Sequence, residues 1–176
     1  MTELAITAVG RDRPGIVAAF TEALYGIGAN LEDCRAALLR GSFAMVMAVS
    51  VPEGTSPDDA RAALDPVAAD LGLTIWLGPT SPDASAAPRA DGCIVSVYGA
   101  DHPGIVSAVT RCLADLAVNI EDLSSRVIGD PPVYVLGITC ALPEGVGTDR
   151  LSAALASVAA AQNVEVAVSP VDDEVL

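Results

Sequence analysis

Apolar residues along this chain alternate between two rhythms, one of strands and one of helices. Leu4-Ala5-Ile6-Thr7-Ala8-Val9 is short, apolar and bounded by charges and a glycine, which predicts a buried strand. Ile16, Phe20, Leu24 and Ile27 then recur at helical spacing, with Val17 beside them. Pro14 stands where a helix begins, and Gly26 and Gly28 stand where it closes. A second strand is expected from about Asn30 to Arg40, a turn at Gly41, and a strongly apolar third strand over Phe43–Val51. Pro57-Asp58-Asp59 opens a second helix through Leu64, Val67 and Leu71; Gly72 ends it, and Leu73–Leu77 reads as a fourth strand.

The same rhythm then starts again. Gly10-Arg11-Asp12-Arg13-Pro14-Gly15-Ile16-Val17 returns as Gly99-Ala100-Asp101-His102-Pro103-Gly104-Ile105-Val106. Asn30-Leu31-Glu32-Asp33 returns as Asn119-Ile120-Glu121-Asp122, and both pairs of motifs are offset by 89 residues. The second copy predicts strands at Ile94–Tyr98, Asn119–Ile128, Val133–Ala141 and Val164–Val168, with helices at about Gly104–Leu116 and Thr148–Gln162. Each copy reads β-α-β-β-α-β, the ferredoxin-like order, so the fold class is α+β: two antiparallel four-stranded sheets, each with two helices on one face.

The expected boundaries are 1–77 for the first domain, 78–91 for a linker, 92–170 for the second domain and 171–176 for an acidic tail. The linker is proline, serine and alanine without periodicity. Its fourteen residues reach about 45 Å when extended.

Charge narrows the function classes. The net charge is −14, and all nine basic residues are arginine. Residues 1–77 hold five Arg against ten acids, and residues 92–170 hold three Arg against eight acids. Without a basic stripe, direct nucleic-acid binding and membrane-surface binding are disfavoured. No basic segment precedes an apolar stretch at the N-terminus, and no run of about 18 apolar residues occurs, so a cytoplasmic location is expected. Cys34, Cys93, Cys112 and Cys140 lack metal-site spacing and read as reduced, mostly buried small hydrophobes.

Candidate chemistry gathers where the first strand of each copy meets its first helix. The N–H groups of Gly15, Ile16 and Val17 are candidate free donors at a helix start, where the helix dipole also favours an anion such as a carboxylate. Asp12 either accepts from a ligand ammonium or caps the helix. Asn30 offers both a donor and an acceptor, or simply turns the chain into its strand. Together these groups match what an α-amino acid backbone presents, and Asp101, Gly104 and Asn119 repeat the set. Arg13 and His102 share one loop position and read as solvent-exposed. Glu32-Asp33 and Glu121-Asp122 sit on strands, where neighbouring side chains point to opposite faces, so solvated edges are expected rather than cation sites. With one histidine a multi-histidine metal site is impossible. There is no nucleophile–base pair, phosphate loop or nucleotide fingerprint, so neither catalysis nor a cofactor is expected.

Asp-Arg-Pro-Gly-Ile-Val followed by Asn30-Leu31-Glu32-Asp33-Cys34-Arg35, and repeated as far as Asn119-Ile120-Glu121-Asp122-Leu123, resembles an ACT domain. Two in tandem resemble the glycine cleavage system repressor-like group of double-ACT proteins. The resemblance spans nearly everything but the linker and tail. It implies a small ligand, commonly an amino acid, held at an interface between domains. The family's ligand-holding positions fall here on Asp12, Asn30, Asp101 and Asn119, with backbone groups from Pro14, Gly15, Ile16 and Val17 and from Pro103, Gly104, Ile105 and Val106. It also implies regulation through a protein partner, with glycine and serine as the ligands to try first. Open strand edges add the expectation of a homodimer.

Overall fold

In a computed structural model of the chain, residues 2–80 and 92–171 are described. They fall into two compact units that divide between residues 86 and 87. Most of the expected linker (81–91) and tail (172–176) lies outside the described residues.

The first unit runs β1 (Thr2–Arg11), α1 (Ile16–Gly26), β2 (Asn30–Leu39), β3 (Ser42–Val51), α2 (Pro57–Leu71) and β4 (Leu73–Pro79). The second runs β5 (Gly92–Gly99), α3 (Ile105–Asp115), β6 (Asn119–Ile128), β7 (Val133–Ala141), α4 (Thr148–Gln162) and β8 (Val164–Pro170). The sheets are antiparallel, in the orders β2-β3-β1-β4 and β6-β7-β5-β8.

Period-two burial drives each sheet. Leu4, Ile6 and Ala8 on β1 and Met45, Met47 and Val49 on β3 all face the helices and are buried. Ile16, Phe20 and Leu24 on α1, and Ala60, Leu64 and Ala68 on α2, return the contact at four-residue spacing. The second core repeats the plan with Val95, Val97, Leu136 and Ile138 under Ile105, Val109, Leu113, Leu151 and Leu155. A buried phenylalanine such as Phe20 is worth about 3–5 kcal/mol against alanine.

Local chemistry fixes the ends of the helices. At α2 the Ser56 hydroxyl accepts from the Asp59 N–H at 3.2 Å, and the Asp59 carboxylate accepts from the Ser56 N–H at 2.8 Å. That reciprocal pair is a capping box, with Pro57 in the first turn. The left-handed residues Gly72 and Asn163 close α2 and α4. β2 and β6 are outer strands, exposed along almost their whole length.

Candidate functional site

α1 begins two residues after Pro14, where the sequence pattern places its start, and α3 begins one residue after the expected Gly104. Gly15 and Gly104 are the N-caps, with φ of 92° and 108°. This left-handed geometry separates Pro14 and Pro103 from the helices, so neither is the first helical residue. It suits glycine, which has no Cβ to collide with the carbonyl. The first intrahelical acceptors are the carbonyls of Gly15 and Gly104, bound by the N–H of Ala19 and Ala108 at 2.9 Å. Donors therefore run from Gly15 through Ala18 and from Gly104 through Ser107. Pro14 and Pro103 have no N–H and donate nothing. Ala18 and Ser107 are additional to the donors expected from sequence; counting back from the true helix start finds them.

Neither helix carries a side-chain cap. The carboxylates of Asp12 and Asp101 are exposed and are not the caps that one of their two readings required. The Asp12 N–H donates to Gly41 O at 3.0 Å, tying the loop to the β2–β3 hairpin. Val17 and Val106 are exposed, while Ile16 and Ile105 are buried in the cores. The isoleucines' contribution to any ligand is thus confined to their backbone.

The basic loop residues have structural contacts. Arg13 Nη1 donates to Asp70 O at 3.4 Å, near the end of α2. His102 is half-buried rather than exposed. Its Nε2 lies 2.8 Å from Gln162 O at the end of α4, and its Nδ1 lies 3.1 Å from Pro103 O. Both neighbours are acceptors, and only the imidazolium can donate to both. The Gln162 carbonyl, and next the Pro103 carbonyl, raise the His102 pKa, with Asp101 adding to them against slight desolvation.

The asparagines stand at the far end of each sheet from these loops. Asn30 pairs with Ser50, which pairs with Glu3, whereas the loop follows Arg11. Eight residues of extended β1 separate those rungs, a distance of about 26 Å at 3.3 Å per residue. In the second unit Asn119 pairs with Ala141 and Ala141 with Gly92, so seven residues of β5 lie between that rung and Gly99, about 23 Å. The two halves of the expected amino-acid site do not meet within one repeat.

The neighbourhood of Asn30 differs from the expected alternation. The β2–β3 register shifts between Leu31 and Asp33, leaving Glu32 as the extra residue of a bulge. Glu32 Oε1 accepts from Ser50 Oγ at 2.6 Å and from Asn30 Nδ2 at 2.9 Å. Asp33 pairs with Ala48, on the same face as Ser50, so the bulge brings both carboxylates to one side of the strand. The Ser50 hydroxyl, and then the Asn30 amide, hold the Glu32 carboxyl below its ordinary range. No group of three or more metal-ligating side chains occurs among the described residues.

One open cleft, of about 520 Å³, was not foreseen. It is lined by Tyr98, Gly99, Val133, Ala159, Ala160, Asn163, Val164 and Glu165 in the second unit. Tyr98 and Glu165 are cross-strand partners on β5 and β8. Their counterparts in the first unit are Val9 and Thr74, which also pair, and Gly72 stands in place of Asn163. Comparing the two copies position by position is the signal that reveals this divergence.

Two units with the same strand order and matched glycine-capped helix starts define a tandem ferredoxin-like α+β module. The chain belongs to the ACT domain family, whose model matches residues 2–77 and 93–169. It is 34% identical over 169 residues to phosphoserine phosphatase SerB2 of Mycobacterium tuberculosis, a match covering 93% of this chain and 39% of that protein. It is 33% identical over 131 residues to the glycine cleavage system transcriptional repressor of Escherichia coli, covering 70% of this chain and 64% of the repressor. The chain thus spans less than two thirds of either relative. A crystal structure of an unknown protein from Galdieria sulphuraria superposes with a TM-score of 0.86 at 29% identity, covering 97% of this chain and 99% of that one.

Proposed function

We propose that this protein is a non-catalytic regulator that binds an amino acid between ACT repeats and thereby modulates a protein partner. A transcriptional regulator of amino-acid metabolism is the partner class to which the repressor relative points. The observation that carries the reading is the duplicated helix start, where Gly15 and Gly104 leave successive backbone N–H groups free for a carboxylate. Asp12 and Asp101 supply acceptors for the ammonium, and Asn30 and Asn119 each bring a donor and an acceptor. Because each loop lies more than 20 Å from the asparagine of its own repeat (about 23–26 Å), a site using both needs a second repeat, from this chain or from another copy in a homodimer. Binding switches a partner only if the ligand favours one arrangement of the repeats over another.

The phosphatase relative is matched over 39% of its length, and its activity is no part of this reading. The acidic surface supports a protein partner in the cytoplasm over nucleic acid or membrane. The test is thermal unfolding against the twenty amino acids at millimolar concentration, with glycine and serine first. A ligand at a hundredfold excess over Kd stabilises the folded form by about 2.7 kcal/mol. A selective rise in Tm that disappears in Asp12→Ala or Asn30→Ala is expected. A flat panel would favour a ligand-free interaction module instead, a reading that the exposed outer strands β2 and β6 also accommodate.

A further inference from the structure

We propose that Asn30, Glu32 and Ser50 form an ammonium-recognising half-site that the second repeat lacks. The Ser50 side chain is 5% exposed and its hydroxyl is directed at Glu32 Oε1. The same oxygen takes the Asn30 Nδ2 proton. These two bonds settle how the Asn30 amide is turned: nitrogen toward Glu32, oxygen outward. Asn30 Oδ1 and Glu32 Oε2 then remain as acceptors without a hydrogen-bond partner among the described residues. Glu32 stays ionised, because its hydrogen bonds favour the charged form.

Two outward acceptors, one of them anionic, fit a group with several N–H donors and a positive charge. They repel a carboxylate. A hard cation wants six or more oxygens, and the described residues offer no such group. A primary ammonium, with three donors, matches the pair.

The second repeat has the bulge but not the clamp. Its register shifts between Ile120 and Asp122, so Glu121 is again the extra residue, and Asn119 again opens the strand. The residue opposite Asn119 is Ala141, however, where the first repeat has Ser50. No side-chain hydrogen bond of Asn119 or Glu121 occurs among the described residues. The Asn119 amide is therefore not turned one way, and the two repeats are inequivalent for an amine. This deepens the amino-acid reading and rests on it only for the opposite end of the ligand. Ser50 acts through Glu32 and Asn30, as a positioning residue.

The test follows the side-chain amide signals of Asn30 and Asn119 in the ¹⁵N-labelled full chain. Methylammonium, glycine and glycolate (which lacks the ammonium) are titrated separately. Methylammonium and glycine are expected to shift Asn30 but not Asn119, and glycolate to leave Asn30 in place. Ser50→Ala, which installs the residue the second repeat already uses, should weaken glycine binding by about tenfold. Ala141→Ser should make Asn119 respond. The proposal is overturned if glycolate shifts Asn30 as glycine does, if both asparagines of the wild type respond alike, if Ser50→Ala leaves the glycine Kd unchanged, or if no probe shifts Asn30. Methylammonium shifting Asn30 while no amino acid raises Tm would sustain the half-site and sink the amino-acid sensor.

Discussion

Gly15 and Gly26 frame α1, and replacing each with alanine should move stability in opposite directions. A Cβ built on either glycine meets nothing within 4 Å, so packing does not distinguish them. Their backbones do. Gly15 holds φ at 92°, in the left-handed region, where an L-residue pays about 1–2 kcal/mol. Gly26 is the last residue of the helix, where alanine restricts the unfolded chain and stabilises by about 0.4–1 kcal/mol. The two variants should therefore differ by about 2 kcal/mol. Trp76, the only tryptophan, lies on β4 of the same unit, so its emission follows the unfolding of that unit. With a urea m-value of about 1 kcal/mol/M, suited to a small unit, the midpoints should separate by about 2 M. Gly15→Ala falls below wild type and Gly26→Ala rises above it, with m unchanged. Two midpoints shifted in the same direction would refute the claim that backbone geometry, rather than space, reserves position 15 for glycine.

His102 and the cysteines make two further predictions. The folded-state His102 pKa is raised above its ordinary value by the carbonyls of Gln162 and Pro103. Its contribution to stability is thus fully present below about pH 6.5 and is lost as pH rises through the raised value. The Tm difference between wild type and His102→Ala should shrink on the alkaline side and persist on the acid side; a difference that grows with pH would contradict the imidazolium. Burial pushes the Cys140 thiol up to about 12 and raises Cys93 as well. A thiol reagent at pH 8 should label the half-buried Cys34 and Cys112 first and reach Cys93 and Cys140 only on unfolding; peptide mapping of the labelled protein decides.

Periodicity reveals what local burial determines. The bounds of β6, β7 and α4 read from the sequence as Asn119–Ile128, Val133–Ala141 and Thr148–Gln162 are those of the structure. α1 starts later because Pro14 at a helix entrance reads as the first helical residue, α3 because Gly104 reads as helical, and nothing in the letters says that either glycine is left-handed. The Glu32 bulge was illegible for a similar reason: alternation assumes an unbroken register, while a bulge is a property of two paired strands. Ser50 carried no signal either, since its meaning depends on the partner it faces across β2 and β3.

The placement of the asparagines carries the larger lesson. Loop and asparagine recur together at one offset, which invites the picture of a single pocket used twice. Tracing the chain removes that picture. β1 runs away from the rung of Asn30 toward the loop, α1 returns, and β2 begins where α1 ends. A β-α-β unit of this kind puts the start of its helix and the start of its next strand at opposite ends by construction. The repeated groups therefore fall into two halves at opposite ends of each repeat. If one ligand spans both, its affinity measures how two repeats approach one another, which is what a sensor of arrangement requires. The halves are also not interchangeable. Ser50 orders the Asn30 half, Ala141 leaves the Asn119 half unordered, and Arg13 and His102 tie their loops to α2 and α4 with a permanent and a titratable charge respectively. On two repeats of one fold, these few side chains make the corresponding positions chemically distinct.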